Sequence, residues 1–491
     1  MNNKIVISVL ALFLGVILAG CGSEDAVTLR FEVEKLYFEA ERQVRDASIR
    51  PELNDPETGH KLAIAFEEVL EASLEALPEI DGESNPIEYR EVLDLAYQSV
   101  TRATQYLFAE KQFDKCLQLT HSVATLEGLT RFQVLYLSLN RAQVLQAKGE
   151  WRNAMTIYQT LVAEYYPPVL NDGKIIDKLI KLPLVMFQMS DRMNDSAGIR
   201  LQRLTAETYY GDLANELPGT EAANVARTSL AQIYSASSRF QDAISQLRQV
   251  IDTTGKVITS IRMRIADIYT SQLEKHKSAL AIYDSVLVSL EQADTLMRPM
   301  VLYRRAEVFH KLKRFSDTRS ELKQIGDNYP AFFASFPAPQ LLKARAFDDD
   351  GNWERAETEY RFLIENFNAT PEAMSAYLHL EKSCRALNRE AESEHWFERA
   401  VRDFDRLSRQ RGRVGAMALS SKADLYRQRS MWPEAVGVLT EITSRFERTV
   451  IGRQALVTAA AVYREKLNQP QKADSLMEVY KQIAATLVNE T

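Results

Sequence analysis

The same pattern of apolar positions occurs in two segments that lie far apart in this chain. Residues 352–367 read NWERAETEYRFLIENF, and residues 150–165 read EWRNAMTIYQTLVAEY. Both segments follow a glycine, Gly351 and Gly149, and both carry W-x-x-A-x-x-x-Y-x-x-L. Offsets of three, four and seven residues place side chains on one face of an α-helix. The shared pattern therefore predicts the same amphipathic helix at both places.

The pattern begins at six aromatic residues, and a small residue stands three positions after each and another nine positions before it. The aromatic residues are Phe113, Trp151, Phe240, Phe315, Trp353 and Trp432. The small residues after them are Cys116, Ala154, Ala243, Thr318, Ala356 and Ala435, and those before them are Thr104, Ala142, Ala231, Ala306, Ala344 and Ala423. Each unit therefore contains two amphipathic helices, helix A and helix B, joined by a short polar turn. We expect the small residues to let the two backbones approach and the aromatic ring to fill the core wedge beside them.

Weaker copies of the pattern occupy most of the remaining chain. Two of them, marked by Ala266 and Ala460 in helix A, follow the pattern with one residue inserted, and Ser393 marks a unit that lacks the aromatic residue. Within residues 167–222 the pattern decays, and Pro183 predicts a break in a helix there. One helix pair leaves an apolar flank exposed, so such pairs must stack on one another.

These columns resemble the tetratricopeptide repeat (TPR) family, which has a glycine at the turn, an aromatic residue before the second helix, alanine in both helices and often proline after them (Pro330, Pro371). The resemblance implies an all-α fold, a right-handed superhelical solenoid of about nine to eleven antiparallel helix pairs. The commonest spacing of about 38 residues exceeds the usual ~34 and predicts longer loops or helix ends. The predicted divisions are an acidic helix pair (28–96), the first repeats (97–166), an irregular helical repeat (167–222) and a C-terminal array (223–487).

The first residues predict export. The segment MNNKIVISVLALFLGVILAGC has one lysine followed by an apolar run of about 15 residues, shorter than the ~20 that span a membrane. A cleaved secretory signal over residues 1–20 is therefore favoured over a transmembrane helix. Leu18, Ala19, Gly20 and Cys21 resemble the lipobox of bacterial lipoproteins. The resemblance implies cleavage before Cys21, acylation of Cys21 with fatty acids such as palmitate, and a short tether over 21–27. An ordinary secreted protein is the alternative.

The residues after Cys21 bear on the membrane in which the protein resides. Gly22 and Ser23 lack the aspartate that retains enterobacterial lipoproteins at the inner membrane. The resemblance therefore implies a lipid anchor in the outer membrane of a bacterial cell envelope, with the protein facing the periplasm.

Charge is distributed unevenly and limits the classes of partner. The chain has a net charge of −7 and a pI of about 5.7, and residues 24–100 alone contain 20 acidic and 7 basic side chains. This composition argues against nucleic acid as a partner. The basic cluster at 399–429 fits either an anionic partner or a solvated helix surface.

No motif for catalysis, a metal or a cofactor is present in the sequence. The six histidines are scattered without H-E-x-x-H or metal-ligand spacing, and there is no G-x-S-x-G or phosphate-binding glycine loop. We therefore expect no catalytic residues, no metal and no cofactor, and we interpret Cys116 and Cys384 as buried thiols rather than a disulfide.

The function implied by the resemblance is partner binding, because helix A of each unit lines the concave side of a TPR solenoid. Carried over by position, this face includes Tyr303, Glu307, His310, Arg345, Asp349, Asp424 and Arg427. The predicted function is a non-catalytic scaffold lipoprotein that binds envelope proteins or extended peptide segments, distantly similar to the TPR lipoprotein of the outer-membrane β-barrel assembly machinery. A ligand-capture (nutrient-binding) lipoprotein and a regulator of peptidoglycan synthesis remain alternatives, and the oligomeric state is left open.

Overall fold

The structure is a computed structural model that describes residues 22–49, 56–165, 173–193, 195–252, 254–291, 294–410, 412–447 and 449–489. Regular structure in these residues is helical, apart from one isolated antiparallel bridge between Ile251 and Val257. The predicted all-α class is confirmed. The chain divides into two compact units at the bond between Thr205 and Ala206.

The first unit contains helices α1 to α8 and the start of α9. Their bounds are α1 Gly22–Ile49, α2 Pro56–Ala76, α3 Pro86–Ala109, α4 Phe113–Ala124, α5 Arg131–Lys148, α6 Trp151–Tyr165, α7 Gly173–Leu179, α8 Leu182–Arg192 and α9 Ser196–Glu216, with a 3₁₀ turn at Leu77–Glu79 after α2. No helix in the described part of the chain is both long and apolar enough to cross a membrane.

The second unit begins within α9 and contains the remaining helices. They are α10 Glu221–Ala236, α11 Phe240–Leu247, α12 Thr259–Ser271, α13 His276–Ser289, α14 Met297–Lys311, α15 Phe315–Asn328, α16 Pro330–Ser335, α17 Ala338–Asp348, α18 Trp353–Asn366, α19 Pro371–Ala386, α20 Glu390–Ser408, α21 Arg413–Gln428, α22 Trp432–Phe446, α23 Val450–Glu465 and α24 Pro470–Asn489. All six aromatic residues of the repeat pattern are therefore the first residue of a helix B.

The same left-handed turn closes nine helix pairs. The residue two positions before helix B has a positive φ, between 50° and 99°, in each of them. These residues are Lys111, Gly149, Ser238, Glu274, Lys313, Gly351, Asn388, Ser430 and Asn468. Glycine adopts this conformation without steric cost, which explains why Gly149 and Gly351 precede the two most similar segments.

Backbone hydrogen bonds complete these turns as Schellman motifs. In seven of the nine turns, the N–H just before helix B donates to a carbonyl five residues back, as Asn352 N does to Phe347 O at 2.8 Å. In the two turns with one inserted residue, Lys275 N and Gln469 N donate six residues back, each at 2.8 Å. The insertion seen in the sequence therefore lies within the turn and leaves the helices unchanged.

Helices A and B of one unit touch at their small residues. Cys116 Sγ lies 3.6 Å from the Thr104 carbonyl, and Thr318 Oγ1 lies 3.4 Å from the Ala306 carbonyl. Both contacts join the small position of helix B to the small position of helix A, twelve residues earlier. The alanines at the corresponding positions of the other units are almost completely buried, at 0–4% exposed. A larger side chain would separate the two backbones at this point.

The aromatic rings at the start of helix B are only in part core residues. Trp353 is 7% exposed, but the rings of the other five units are half-buried. These are Phe113, Trp151, Phe240, Phe315 and Trp432. A cation from later in the chain covers each tryptophan: Arg192 lies 5.4 Å from the Trp151 ring centre, Arg389 5.6 Å from Trp353 and Lys466 5.5 Å from Trp432. The expectation of rings enclosed in the core is thus corrected for five of the six units, and for Trp151 and Trp432 a cation–π contact replaces apolar packing on the exposed side of the ring.

The start of the first unit also differs from the expectation. Helix α1 begins at Gly22, so residues 22–27, predicted as a tether, are the first turns of a helix. Ala26 is 2% exposed and packs in the same core as Val33 and Ala40, which holds this end of the helix against the unit. Cys21 and the predicted signal over 1–20 lie outside the described residues.

Residues 173–216 contain three helices instead of a regular pair. Helix α7 ends at Leu179 and α8 begins at Leu182 with Pro183 in its first turn, so the break predicted at Pro183 is present. On α9, Ala206 and Tyr210 are fully buried. Residues 167–172, the start of the predicted irregular segment, lie outside the described residues.

One unit carries a charged residue where other units have alanine in helix A. Glu381 stands nine positions before helix α20 and is 0% exposed. Arg429 Nε donates to its carboxylate at 2.7 Å, Ser393 Oγ donates at 3.1 Å, and Gln428 Nε2 donates as well. Since Gln428 and Arg429 end the helix A of the following unit, this buried ion pair joins two consecutive units.

Replacing Trp353 tests the packing at the start of helix B. We expect Trp353→Ala to cost roughly 3–5 kcal/mol, because it removes a buried ring. Hydrogen exchange should accelerate in α17, α18 and α19 more than in α23 and α24, because stacked repeats transmit destabilisation mainly to neighbours. Trp432→Ala is the matched control and should cost less, since its ring is half-buried. Equal costs would contradict the difference in burial.

The Glu381–Arg429 pair yields a double-variant test. Arg429→Met should cost about 3–5 kcal/mol, because it removes the nearer cation from a buried carboxylate that Arg385 approaches only to 3.8 Å. Adding Glu381→Ala restores the alanine of the other units and should recover most of that loss in urea unfolding. If the double variant is as unstable as Arg429→Met, the ion pair does not account for the loss of stability. The loss is then assigned to the packing of Arg429 on Phe397, whose ring centre is 4.1 Å from the guanidinium.

Candidate partner-binding face

Helices A of the second unit pack side by side, α12 on α14, α14 on α17, α17 on α19 and α19 on α21. Polar side chains on four of these helices interact from one helix to the next. We call this set the A-helix strip. It consists of Asp267 on α12, Arg304, Glu307 and His310 on α14, Arg345, Asp348 and Asp349 on or just after α17, and His379, Lys382 and Ser383 on α19.

Two buried tyrosines hold the carboxylates at the α12–α14 end of the strip. Tyr283 Oη donates to Asp267 Oδ1 at 2.5 Å, and Tyr303 Oη donates to Glu307 Oε1 at 3.0 Å. Burial, reinforced by the adjacent carboxylate, raises the pKa of both phenols, so they stay protonated as donors. Arg304 Nη1 donates to the other oxygen of Glu307 at 2.9 Å. Both carboxylates are therefore fixed in position.

A histidine–aspartate contact joins α14 to the end of α17. His310 Nε2 lies 2.9 Å from Asp349 Oδ2, with the histidine side chain 12% exposed and the aspartate 50% exposed. Burial lowers the pKa of His310, and the nearby Arg345 charge acts in the same direction. The imidazole is therefore neutral at pH 7, and the exposed carboxylate carries the charge of this pair.

A second tyrosine–carboxylate group joins α17 to α19. Asp348 accepts hydrogen bonds from Tyr360 Oη at 3.2 Å and from Ser383 Oγ at 2.9 and 3.0 Å. Burial raises the pKa of Asp348, and these hydrogen bonds oppose that effect. The His379 ring stacks on Tyr360, with ring centres 5.5 Å apart and planes 4° from parallel. Burial, with smaller contributions from Arg345 and Lys382, lowers the pKa of His379 to about 4.

The strip thus has a hydrogen-bonded lower layer and exposed charged ends. Arg345, Asp349 and Lys382 are exposed, whereas the neutral histidines and the tyrosines beneath them are largely buried. The contacts hold the lower layer in place, and the exposed ends offer charges of both signs to a partner. In the described part of the chain, no group of three or more His, Cys, Asp and Glu residues is arranged to hold a metal ion.

The structure brings together five of the seven residues that the sequence assigned to the binding face. Glu307, His310, Arg345 and Asp349 belong to the strip. Tyr303 lies beneath it, 8% exposed, because Phe336 after the short helix α16 covers its ring at 5.5 Å. Tyr303 is therefore a supporting residue and does not itself present a surface.

The remaining two residues lie further along, on α21. Asp424 and Arg427 are exposed and pair with each other at 2.7 Å. Other basic residues of the 399–429 cluster also form ion pairs. Arg406 pairs with Asp403, and Lys422 pairs with Asp405. These pairings are typical of a solvated helix surface.

Sequence reasoning missed several residues of the strip, although part of the signal was present. Asp348 stands five positions before its helix B, the position that His310 holds in its own unit. Arg304 and His379 share the position eleven before theirs. In the unit that contains His379, helix B begins with Glu390 instead of an aromatic residue. Without that marker, the sequence pattern did not show that His379 and Arg304 occupy the same position.

The two cysteines are separate from the strip. Cys116 and Cys384 are free thiols, each 0% exposed. Burial raises the pKa of Cys116 to about 11 and that of Cys384 to about 12. Both thiols are therefore protonated and shielded at neutral pH, as expected for core residues.

The first unit contains a cleft lined in part by polar side chains. It has a volume of about 690 Å³ and lies between α4, α5 and α6. Its polar lining includes His121, Arg141, Glu150 and Asn153.

The stacked helix pairs define a helical repeat protein, and the polar strip follows its helices A in the second unit. Family profiles described as tetratricopeptide repeat match residues 136–167 in the first unit and 341–404 in the second. Each of the two units therefore contains a segment that matches the tetratricopeptide repeat. Repeats of this family suggest a scaffold for protein interactions.

No curated protein matches the sequence. Among solved structures, a tetratricopeptide repeat protein from Parabacteroides merdae aligns with 66% of this chain and 98% of its own, at 14% identity and a TM-score of 0.35. The apo form of the quorum sensor NprR from B. thuringiensis aligns with 70% and 99%, at 12% identity and 0.37. The human IFIT1 dimer with PPP-AAAA aligns with 92% and 95%, at 11% identity and 0.32. Similarity at this level says nothing about the partner of this chain.

His379 should make the stability of the second unit depend on pH. Its pKa falls from 6.5 to about 4, so the unfolded chain takes up a proton in that window that the folded chain does not. Stability should be full above pH 6.5 and fall by on the order of 2–3 kcal/mol as the pH drops through the window. Asp348 has the opposite effect on stability. Because its pKa is raised from 3.8 in the folded chain, its contribution to stability increases as the pH falls toward that value.

Urea unfolding between about pH 7 and pH 4.5 measures this dependence. His379→Gln should flatten the curve, and His121→Gln, which changes an exposed histidine of the first unit, is the matched control. An unaltered curve for His379→Gln would assign the pH dependence to other groups.

Proposed function

We propose that this protein is a non-catalytic scaffold lipoprotein, anchored through Cys21 at the periplasmic face of a bacterial outer membrane, that binds other envelope proteins through the A-helix strip. The observation that supports binding is the strip itself. Exposed Arg345, Asp349 and Lys382 lie on adjacent helices above a layer of hydrogen-bonded side chains. A partner segment that crosses the helices A would meet charges of both signs within one surface.

Fixed side chains favour binding for an energetic reason. Ordering a long side chain at an interface costs about 0.5–1.5 kcal/mol, so side chains already held in place reduce that cost. Asp349 lies against His310, and the Asp348 carboxylate next to it is held by Tyr360 and Ser383. The strip therefore suits an extended peptide segment with alternating charged or polar side chains.

The proposed location has a separate basis. It rests on the lipobox-like sequence over residues 18–21 and on the residues that follow it. Acyl chains on Cys21 would provide stable membrane attachment, because each buried CH₂ contributes roughly 0.8 kcal/mol. Binding through the strip does not depend on this anchor, so the two parts of the proposal can be tested apart.

The cleft of about 690 Å³ in the first unit keeps ligand capture as a second candidate. Its size is suited to a small organic ligand, and its lining offers both a cation and a carboxylate, Arg141 and Glu150. In that case a small molecule, rather than an envelope protein, would bind the purified chain, and strip variants would leave its binding unaltered.

Crosslinking mass spectrometry in intact cells tests the scaffold. The full chain with a C-terminal tag should crosslink to envelope proteins through lysines near the strip. The double variant Arg345→Glu/Lys382→Glu should lose these crosslinks, because it reverses the exposed positive charges. A peptidoglycan synthase among the partners would select the regulatory alternative.

The matched control reverses two basic residues on helices B. Lys323→Glu and Arg402→Glu change the charge by the same amount at side chains that are 75% and 64% exposed. This variant should keep the crosslinks. The strip is excluded as the binding surface if both double variants behave alike, and the scaffold is excluded if the wild-type chain crosslinks to no envelope protein.

A further inference from the structure

The first helix exposes an aromatic stripe on its outer side. On α1, Phe31 is 62% exposed, Phe38 61% and Val27 44%. Spacings of four and seven residues place the three on one face. The opposite face is fixed in the core of the first unit by a row of buried residues at intervals of seven, Ala26, Val33, Ala40 and Ala47. The stripe therefore cannot turn inward without unpacking the helix.

Basic side chains lie on the same face as the stripe. Lys35, Arg42 and Arg45 are exposed at helical spacing from the two phenylalanines. The Arg45 guanidinium lies 5.5 Å from the centre of the Phe38 ring. Within the described residues, Lys35 and Arg42 have no ion-pair partner.

Two acidic residues at one edge of this face, Glu34 and Glu41, are paired with arginines. Arg30 contacts Glu34 at 3.5 Å and Glu91 at 2.8 Å, and Arg102 contacts Glu41 at 3.2 Å. Glu32, Glu39 and Asp46 border the other edge of the face, so the stripe itself presents aromatic and basic side chains on a helix that is acidic elsewhere. This combination of aromatic and basic side chains complements an anionic lipid surface.

The position of α1 in the array makes its exposed face unusual. It is the first described helix of a stack of helix pairs, and the outer face of a terminal repeat is normally polar because nothing stacks on it. Two aromatic rings that are each more than half exposed are a contiguous apolar feature at such an end. The face therefore requires a covering surface.

We propose that this face of α1 lies against the membrane surface, with Phe31 and Phe38 at the boundary between headgroups and acyl chains and with Lys35, Arg42 and Arg45 at anionic phospholipid headgroups. The inference rests on the proposed acylation of Cys21. Helix α1 begins at Gly22, so the anchor would hold the N-terminal end of the helix at the interface without a flexible tether. A membrane is favoured over a protein partner because the stripe runs directly from the anchor and carries Lys35, Arg42 and Arg45 beside its aromatic rings.

Thiol accessibility in native membranes tests this orientation. Phe38→Cys is compared with Ile87→Cys, a matched position of the first unit that is 64% exposed. The full chain is expressed with its own N-terminal residues, and isolated envelope membranes are treated with a charged, membrane-impermeant maleimide before and after detergent. Cys116 and Cys384 are buried and contribute little background. Ile87→Cys should label under both conditions and Phe38→Cys only after detergent.

Charge reversal supplies the second arm. Adding Lys35→Glu and Arg42→Glu to Phe38→Cys should restore its labelling in membranes, because the face would then repel anionic headgroups. The residues are exposed, so these variants should retain the fold, which circular dichroism checks.

Each other outcome overturns the proposal in a distinguishable way. Labelling of Phe38→Cys in membranes at the level of Ile87→Cys would show a free face and leave the anchor intact. Protection that persists in detergent would assign the face to a second copy or another protein. Intact-mass spectrometry that finds no acyl group on Cys21 would overturn both the proposed anchor and the inference from it, while leaving partner binding by the strip to its own test.

Discussion

The structure depends on the close approach of two helices at one pair of small residues, set by a left-handed turn. The turn fixes where helix B begins, two residues after a position of positive φ such as Gly351. The small residues then meet twelve positions apart, as Cys116 and Thr104 do. Because one geometry is reused, each pair presents an equivalent flank to the next, and stacking buries what a single pair would leave exposed.

The units differ from one another in the residues around this contact. A polar side chain occurs there only where hydrogen bonds or an ion pair hold it. Glu381 replaces an alanine at the contact, and its buried carboxylate is held by Arg429 and Ser393. The Trp353 ring is in turn covered by Arg389. These substitutions make consecutive units non-equivalent in their side-chain contacts. The same physical rule, that a buried polar group must be hydrogen-bonded, explains the tyrosine–carboxylate pairs beneath the strip.

The proposed partner binding and the proposed membrane contact involve two surfaces of different chemistry. The A-helix strip of the second unit is polar and preorganised, since residues such as Asp348 and His310 are held from neighbouring helices. The stripe on α1 is aromatic and basic, with Phe31 and Phe38 exposed. The strip is suited to an extended protein segment and the stripe to a lipid surface, so the two surfaces would act together in a protein that meets its partners at a membrane.

The sequence by itself determined the local structure of the repeats. Helix B begins at the predicted residue in each aromatic unit, Trp151 and Trp353 included, because helix periodicity and the left-handed turn depend on residues within a few positions of each other. Only the tertiary structure decided which polar side chains meet. Phe336 buries Tyr303, and Asp349 reaches His310 across two helices. Such contacts depend on the rotation of one helix pair against the next, which a pattern within a single helix does not encode.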